Sequence, residues 1–183
     1  MLLEKKSLLY RERDESKRQA FLNQIDKILK SEVLYVDESG VDPFAYREYG
    51  WAPKGEKAYG EISGKRYARE SFIAAKSDSK IIAPFCFTGT CNTDLFNAWL
   101  ENILKPCLRP GQVIVMDNAS FHKSEKTRSI IESAKCTLLF LPPYSPDLNP
   151  IEKVWANLKK KIKQIVHEFE NLGEAIDYAF ARY

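Results

Sequence analysis

The stretch "VIVMDNASFHK", residues 113–123, decides how this chain is read. Four apolar residues run without a break and stop at an acid, Asp117. A short apolar run bounded by turn residues, with Gly111 ahead of it, is the pattern of a strand buried on both faces. Working outward, "NTDLFNAWLENIL" (92–104) predicts a helix capped by Asn92 or Thr93, with Leu95, Phe96, Trp99, Leu100 and Ile103 on one face. Residues 123–134 predict a second helix, and "TLLFL" (137–141) a strand that stops at Pro142 and Pro143. A long helix runs from Pro150 to about residue 166, and 171–183 closes the chain behind an Asn171/Glu174 cap pattern. Strands joined through helices run parallel, by right-handed crossovers.

The first half reads differently. Residues 11–30 form a lead-in helix, with Phe21, Leu22, Ile25, Ile28 and Leu29 at three- and four-residue steps and a charged first half, so that it docks by its end. "EVLYVDE" (32–38) is a buried strand ending in acid. "FAYREYGW" (44–51), "SFIAAKS" (71–77) and "IIAPFCF" (81–87) continue an antiparallel meander of three or four strands, with 52–66 as a loop or hairpin tip. The sum is an α/β chain: a mixed five-stranded sheet with helices on both faces, a lead-in helix over 1–31 and one domain over 32–183.

Composition narrows the chemistry. The 183 residues are 44% hydrophobic and 29% charged, with a net charge of +3, so any basic surface is local. No window approaches the ~18 apolar residues of a membrane span, and no signal-peptide core opens the chain. Cys86, Cys91, Cys107 and Cys136 form no C-x-x-C pair, and there are two histidines, His122 and His167. That usage suits a reducing, cytoplasmic compartment. A metal centre here has to lean on carboxylate oxygens, which favours magnesium or manganese over zinc.

Three carboxylates are candidates. Asp37 ends the first strand, Asp117 ends the strand after the first long helix, and Glu152 opens the last long helix. Neighbouring parallel strands deliver their C-terminal ends to one edge, where sites form. Acids gathered there repel unless a cation sits among them. Two ions ~4 Å apart would serve the attacking and the leaving oxygen of a phosphodiester. Glu152 has a second reading: with Asn149 as N-cap and Pro150 first, it completes an Asn capping box. Asp147 is the rival third acid. Along the last helix Lys159 and Lys163 fall within about 20° of Glu152's direction, a stripe suited to backbone phosphates or simply a solvated face.

"YVDESG", "VIVMDNASFHK" and "LPPYSPDLNPIEKVWANLKK" together resemble the three catalytic blocks of mariner-superfamily bacterial insertion-sequence transposases, the DDE endonucleases, over roughly residues 32–166. The 34 residues between Asp117 and Glu152 match the interval of the DDE version, and "GWAPKGEK" (50–57) resembles the segment after the second strand. The resemblance implies a ribonuclease-H-like fold. It implies Asp37, Asp117 and Glu152 as catalytic magnesium or manganese ligands, two ions in all, with Asn118 and His122 behind them. It implies double-stranded DNA as partner, both transposon ends and target, cut by hydrolysis and joined by transesterification in a homodimer. Such an enzyme would be nucleoid-associated in a bacterium, with no membrane partner.

Family members usually carry about 100 or more residues of helix-turn-helix domain ahead of the catalytic block. Here about thirty precede it, so the expectation is a separately encoded helix-turn-helix DNA-recognition domain, a frameshift half or a remnant. DNA contacts are expected from Lys159, Lys163 and the basic loop with Trp51, Lys54 and Lys57. The alternatives are a nuclease of the same fold that only hydrolyses, and an inactive module that binds DNA or a partner.

Overall fold

The computed structural model describes residues 11–41, 51–59, 69–78 and 80–183. Residues 44–50 of the expected strand and 60–66 of the 52–66 loop lie outside the described residues.

Five strands among the described residues form one sheet in the order β3-β2-β1-β4-β5. They are β1 (Val33–Val41), β2 (Glu70–Lys76), β3 (Ile81–Thr88), β4 (Val113–Met116) and β5 (Thr137–Phe140). The first three make the expected antiparallel meander, and β4 and β5 add in parallel. Helices α1 (Glu15–Ile25), α2 (Thr93–Trp99), α3 (Glu125–Ser133), α4 (Ile151–Ile165) and α5 (Leu172–Phe180) complete the chain. This is the mixed α/β architecture with helices on both faces.

Strand alternation assigns the faces. Leu34, Val36, Ile73, Ile114 and Met116 point to one side and pack with Phe96, Trp99, Leu100, Ile130 and Ile131 from α2, α3 and the π-helical turn 100–104 that prolongs α2. Phe72, Ala74 and Val41 point the other way, onto Ile151, Val154, Trp155, Leu158 and Ile162 of α4 and Ile176 and Ala179 of α5. Each fully buried aliphatic chain contributes about 1.5–3 kcal/mol, so α4 is fixed to the sheet by its apolar stripe. Trp99 and Trp155 are core, as their helical faces predict.

Local signals hold most helix starts. Asn92 Oδ1 accepts from the Leu95 amide at 2.9 Å, Ser124 Oγ from Thr127 at 3.0 Å and Asn171 Oδ1 from Glu174 at 2.9 Å. The start of α4 departs from expectation. The helix begins at Ile151 after Pro150, and Asn149 Oδ1 accepts from the Ile151 amide at 3.4 Å, so Asn149 does cap, but without the reciprocal bond from Glu152. The Asn149 amide donates to the Pro146 carbonyl at 2.9 Å, and the Glu152 amide donates to the Asn149 carbonyl at 3.2 Å. A tight backbone turn thus uses the groups a capping box would need, and Glu152 is not tied back to Asn149.

The lead-in helix departs as well. Phe21 docks with Val33, Val113, Val115 and Leu141, as expected of its end. Its charged half docks too: Arg18 donates from both terminal nitrogens to Asp147, at 2.9 and 2.7 Å. No helix among the described residues is long and apolar enough to cross a membrane.

Candidate active site

The sheet register brings the first two acids together. Val33, Leu34 and Tyr35 of β1 lie beside Val113, Ile114 and Val115 of β4. Carried two residues further, that offset sets Asp37 beside Asp117, just where β4 has ended; Asp37 does not end its strand as expected, because β1 continues to Val41 in its pairing with β2. Both side chains then leave the same face, since they share strand parity with Tyr35 and Val115. The chain after β5 passes through Leu141–Pro146 and enters α4, whose first turn carries Glu152. Asp37, Asp117 and Glu152 all line one cleft of about 490 Å³, with Asn118, Asn149 and the Leu141–Pro146 loop as its walls.

The loop is stiffened by its composition. Pro142, Pro143 and Pro146 fix their own φ angles. Tyr144 adopts a left-handed backbone at φ 53°, and Ser145 Oγ donates to the Pro143 carbonyl at 3.1 Å. The Asn118 side-chain Nδ2 donates to the Leu141 carbonyl, joining the turn after β4 to this wall.

Each aspartate has one oxygen engaged. Trp155 Nε1 donates to Asp37 Oδ2 at 3.0 Å. Asp117 Oδ1 accepts from the Ala119 amide at 2.9 Å and from His122 Nδ1 at 2.7 Å. His122 is fully buried, and its Nε2 donates to Glu38 Oε1 at 2.7 Å. A ring that donates from both nitrogens is an imidazolium. Burial opposes that charge, but Asp117 and Glu38 prevail and hold its pKa at about 9. Burial also pushes Asp117 upward, yet the His122 bond, the Ala119 amide and the charges of His122 and Lys123 bring it below the usual carboxylate value.

Asp37 goes the other way. Burial, then the charges of Glu152 and Glu38, push it up to about 8, against the Trp155 and Glu38 donors. A buried acid forced toward neutrality by two neighbouring acids is a site that lacks positive charge. Oxygen donors with an unmet negative field suit a hard divalent cation. Among the described residues, however, no three His, Cys, Asp or Glu side chains stand close enough to hold one ion between them. The Glu152 carboxylate is exposed and makes no hydrogen bond or ion pair among the described residues, so it is free to approach the aspartates.

Asp147, the rival acid, faces away into its pair with Arg18 and does not line the cleft. Lys159 is half-buried and Lys163 exposed along α4. Trp51, Lys54 and Lys57 are all exposed, Trp51 entirely so, and none lines the cleft. The sequence reading missed Trp155 as a partner of Asp37, because an indole on an apolar helical face reads as core. It also left Glu38 without a partner, because only the fold shows that His122 reaches it.

Residues 32–175 match the DDE superfamily endonuclease family. The Tc1 transposase of Caenorhabditis elegans is 37% identical over 92 residues, covering 42% of this chain and 34% of that protein. The chain spans only 27–34% of the length of the Caenorhabditis transposases it matches. Among solved structures, the Mos1 transposase paired-end complex with the left transposon end superposes with a TM-score of 0.74 at 16% identity, covering 100% of this chain and 60% of that one. The mariner Mos1 paired-end complex with Mg superposes at 0.73 with 17% identity, covering 100% and 59%. At such identities the likeness is one of fold, here ribonuclease-H-like.

Proposed function

We propose, for a chain that belongs to the DDE superfamily endonucleases, that it is the catalytic part of a DNA transposase, with the catalytic unit over 32–183 and a lead-in helix over 1–31. The reaction is divalent-metal-dependent hydrolysis of phosphodiesters at transposon ends, followed by strand transfer into target DNA. The observation that carries this reading is the meeting of Asp37, Asp117 and Glu152 on one cleft, from two adjacent parallel strands and a helix start.

Asp37, Asp117 and Glu152 would hold magnesium or manganese, two ions in all. Bound there, the ions would supply the charge that activates an attacking oxygen and steadies a leaving one. The chain's own groups prepare that site. Trp155 and the Ala119 amide each hold one aspartate oxygen, so the second oxygen of each acid is left for the cleft. Asn118 fastens the Asp117 turn to the Leu141 wall. Proline-rich walls exclude bulk water from one side. Support for the metal comes from the donor set and from the Mg named in a Mos1 relative of the same fold.

Double-stranded DNA is the partner, as transposon end and as target. Lys159 and Lys163 run down α4 from Glu152 and would follow backbone phosphates away from the cleft. Trp51, Lys54 and Lys57 present an exposed aromatic and two cations that would flank the duplex. A homodimer, a separately encoded helix-turn-helix domain for end recognition and a nucleoid location belong to the same reading. A nicking assay on supercoiled plasmid carrying the element's ends tests it. Wild type should nick and join with Mg²⁺; Asp37→Ala and Glu152→Gln should do neither. Nicking without joining would favour a hydrolysis-only nuclease, and equal activity in all three chains would remove the site.

A further inference from the structure

Glu38 follows Asp37 on β1, so its side chain leaves the opposite face of the sheet, and it takes no part in lining the cleft. It reaches the site from behind. Beyond the end of β4 the chain folds into a short 3₁₀ turn, Ser120–Lys123, that carries His122 under the sheet edge. There the ring packs against Phe96 and Phe121, each centroid 4.3 Å away, the two phenyl rings lying on adjacent sides with their own centroids 6.0 Å apart. Its two nitrogens each meet a carboxylate at 2.7 Å, Glu38 on one side and Asp117 on the other.

We propose that Glu38 is a positioning residue for Asp117: through His122 it holds Asp117 Oδ1 against the turn, so that Asp117 offers one oxygen to the cleft. The inference rests on the reading of Asp117 as a metal ligand. The physical basis is rotational. An imidazole held at one nitrogen can still pivot about its Cβ bond; held at both and packed against two phenyl rings, it cannot. Asp117 then loses the freedom to swing both oxygens onto an ion or to turn away from it. Glu38 is on hand because β1 runs past the end of β4, and its side chain is only 14% exposed. Outer partners of this kind typically change metal affinity 10–100-fold.

The test is a Mn²⁺ titration, read from the electron paramagnetic resonance of the free ion. It uses the wild-type chain, Glu38→Ala, Glu38→Gln, Asp117→Asn and the Glu38→Ala/Asp117→Asn double variant. Glu38→Ala should raise the Kd for Mn²⁺ about tenfold, and Glu38→Gln, which keeps an acceptor for His122 Nε2, should stay within about threefold of wild type. In the Asp117→Asn background Glu38→Ala should cost nothing more, because its effect passes through Asp117. A general loosening of the fold would not vanish there. If Glu38→Ala does not fold, Glu38→Asp carries the same expectation at smaller amplitude. Wild-type affinity in Glu38→Ala, or a penalty that adds in full to that of Asp117→Asn, overturns the inference alone. Mn²⁺ binding indifferent to Asp117→Asn overturns the reading of the cleft and the inference with it.

Discussion

The indole of Trp155 donates to Asp37 Oδ2 at 3.0 Å, joining the first turns of α4 to the middle of β1. The same side chain packs on Phe72, with ring centroids 5.0 Å apart. One residue thus belongs to the core and to the acidic cleft together. Trp155→Phe should keep most of the packing and lose the donor, at a cost of about 1–3 kcal/mol. Urea unfolding checks the stability, and Mn²⁺ affinity should fall alongside it. An unchanged affinity would mean that Asp37 does not depend on this bond.

Asp37 is placed for chemistry at the expense of the fold. Its folded pKa of about 8 lies above the ordinary carboxylate value of 3.8. A group raised in this way destabilises the folded chain increasingly as pH climbs from the lower value to the upper. Asp37→Asn removes the charge and keeps an acceptor for Trp155. In EDTA at pH 7 it should therefore raise Tm, on the order of 5 °C, while abolishing nicking. A lower Tm would contradict the shift.

His122 adds to the same trend. Its folded pKa, about 9, lies above the ordinary 6.5. The stability it contributes is full below pH 6.5 and is lost as pH rises through about 9. Asp37 and His122 together predict that the metal-free chain loses thermal stability steadily between pH 5 and pH 9. Mg²⁺ or Mn²⁺ should restore more stability at pH 8 than at pH 5, since cations compete with protons for the carboxylates. Melting curves across that range, with and without EDTA, decide the point. A flat metal-free profile would count against both shifts.

Asp147 and Glu152 are separable by experiment. Arg18 holds Asp147 outside the cleft, and the pair is largely solvent-facing on the Asp147 side. Such pairs contribute about 0–1 kcal/mol. Asp147→Ala should therefore keep nicking within a few-fold of wild type, whereas Glu152→Gln should lose it. Comparable loss in both would reopen the choice of third acid.

The sheet was legible because its signals are local. Apolar runs such as "TLLFL" and "VIVM" give strands, and caps such as Asn92 and Asn171 give helix starts. The nearness of Asp37 and Asp117 was legible because adjacent parallel strands run in register toward one edge, although β1 carries on to Val41 rather than stopping at Asp37. Contacts between distant segments were not legible. Arg18 and Asp147 lie 129 residues apart, and nothing in either neighbourhood marks the other. The rival capping-box reading of Glu152 failed in its reciprocal half, because the Asn149 amide is taken by the Pro146 carbonyl, while Asn149 itself caps Ile151. That failure leaves the Glu152 carboxylate uncommitted, as a ligand requires.

The central claim is that Asp37, Asp117 and Glu152 share divalent cations. Crystals of the chain soaked in Mn²⁺ and measured at the manganese absorption edge would locate the ions directly. The account predicts anomalous peaks in the cleft, within about 2.0–2.6 Å of carboxylate oxygens of Asp37 and Asp117, and with Glu152 drawn in once DNA is bound. Manganese bound elsewhere, with the two aspartates free of it at saturating concentration, would contradict the account.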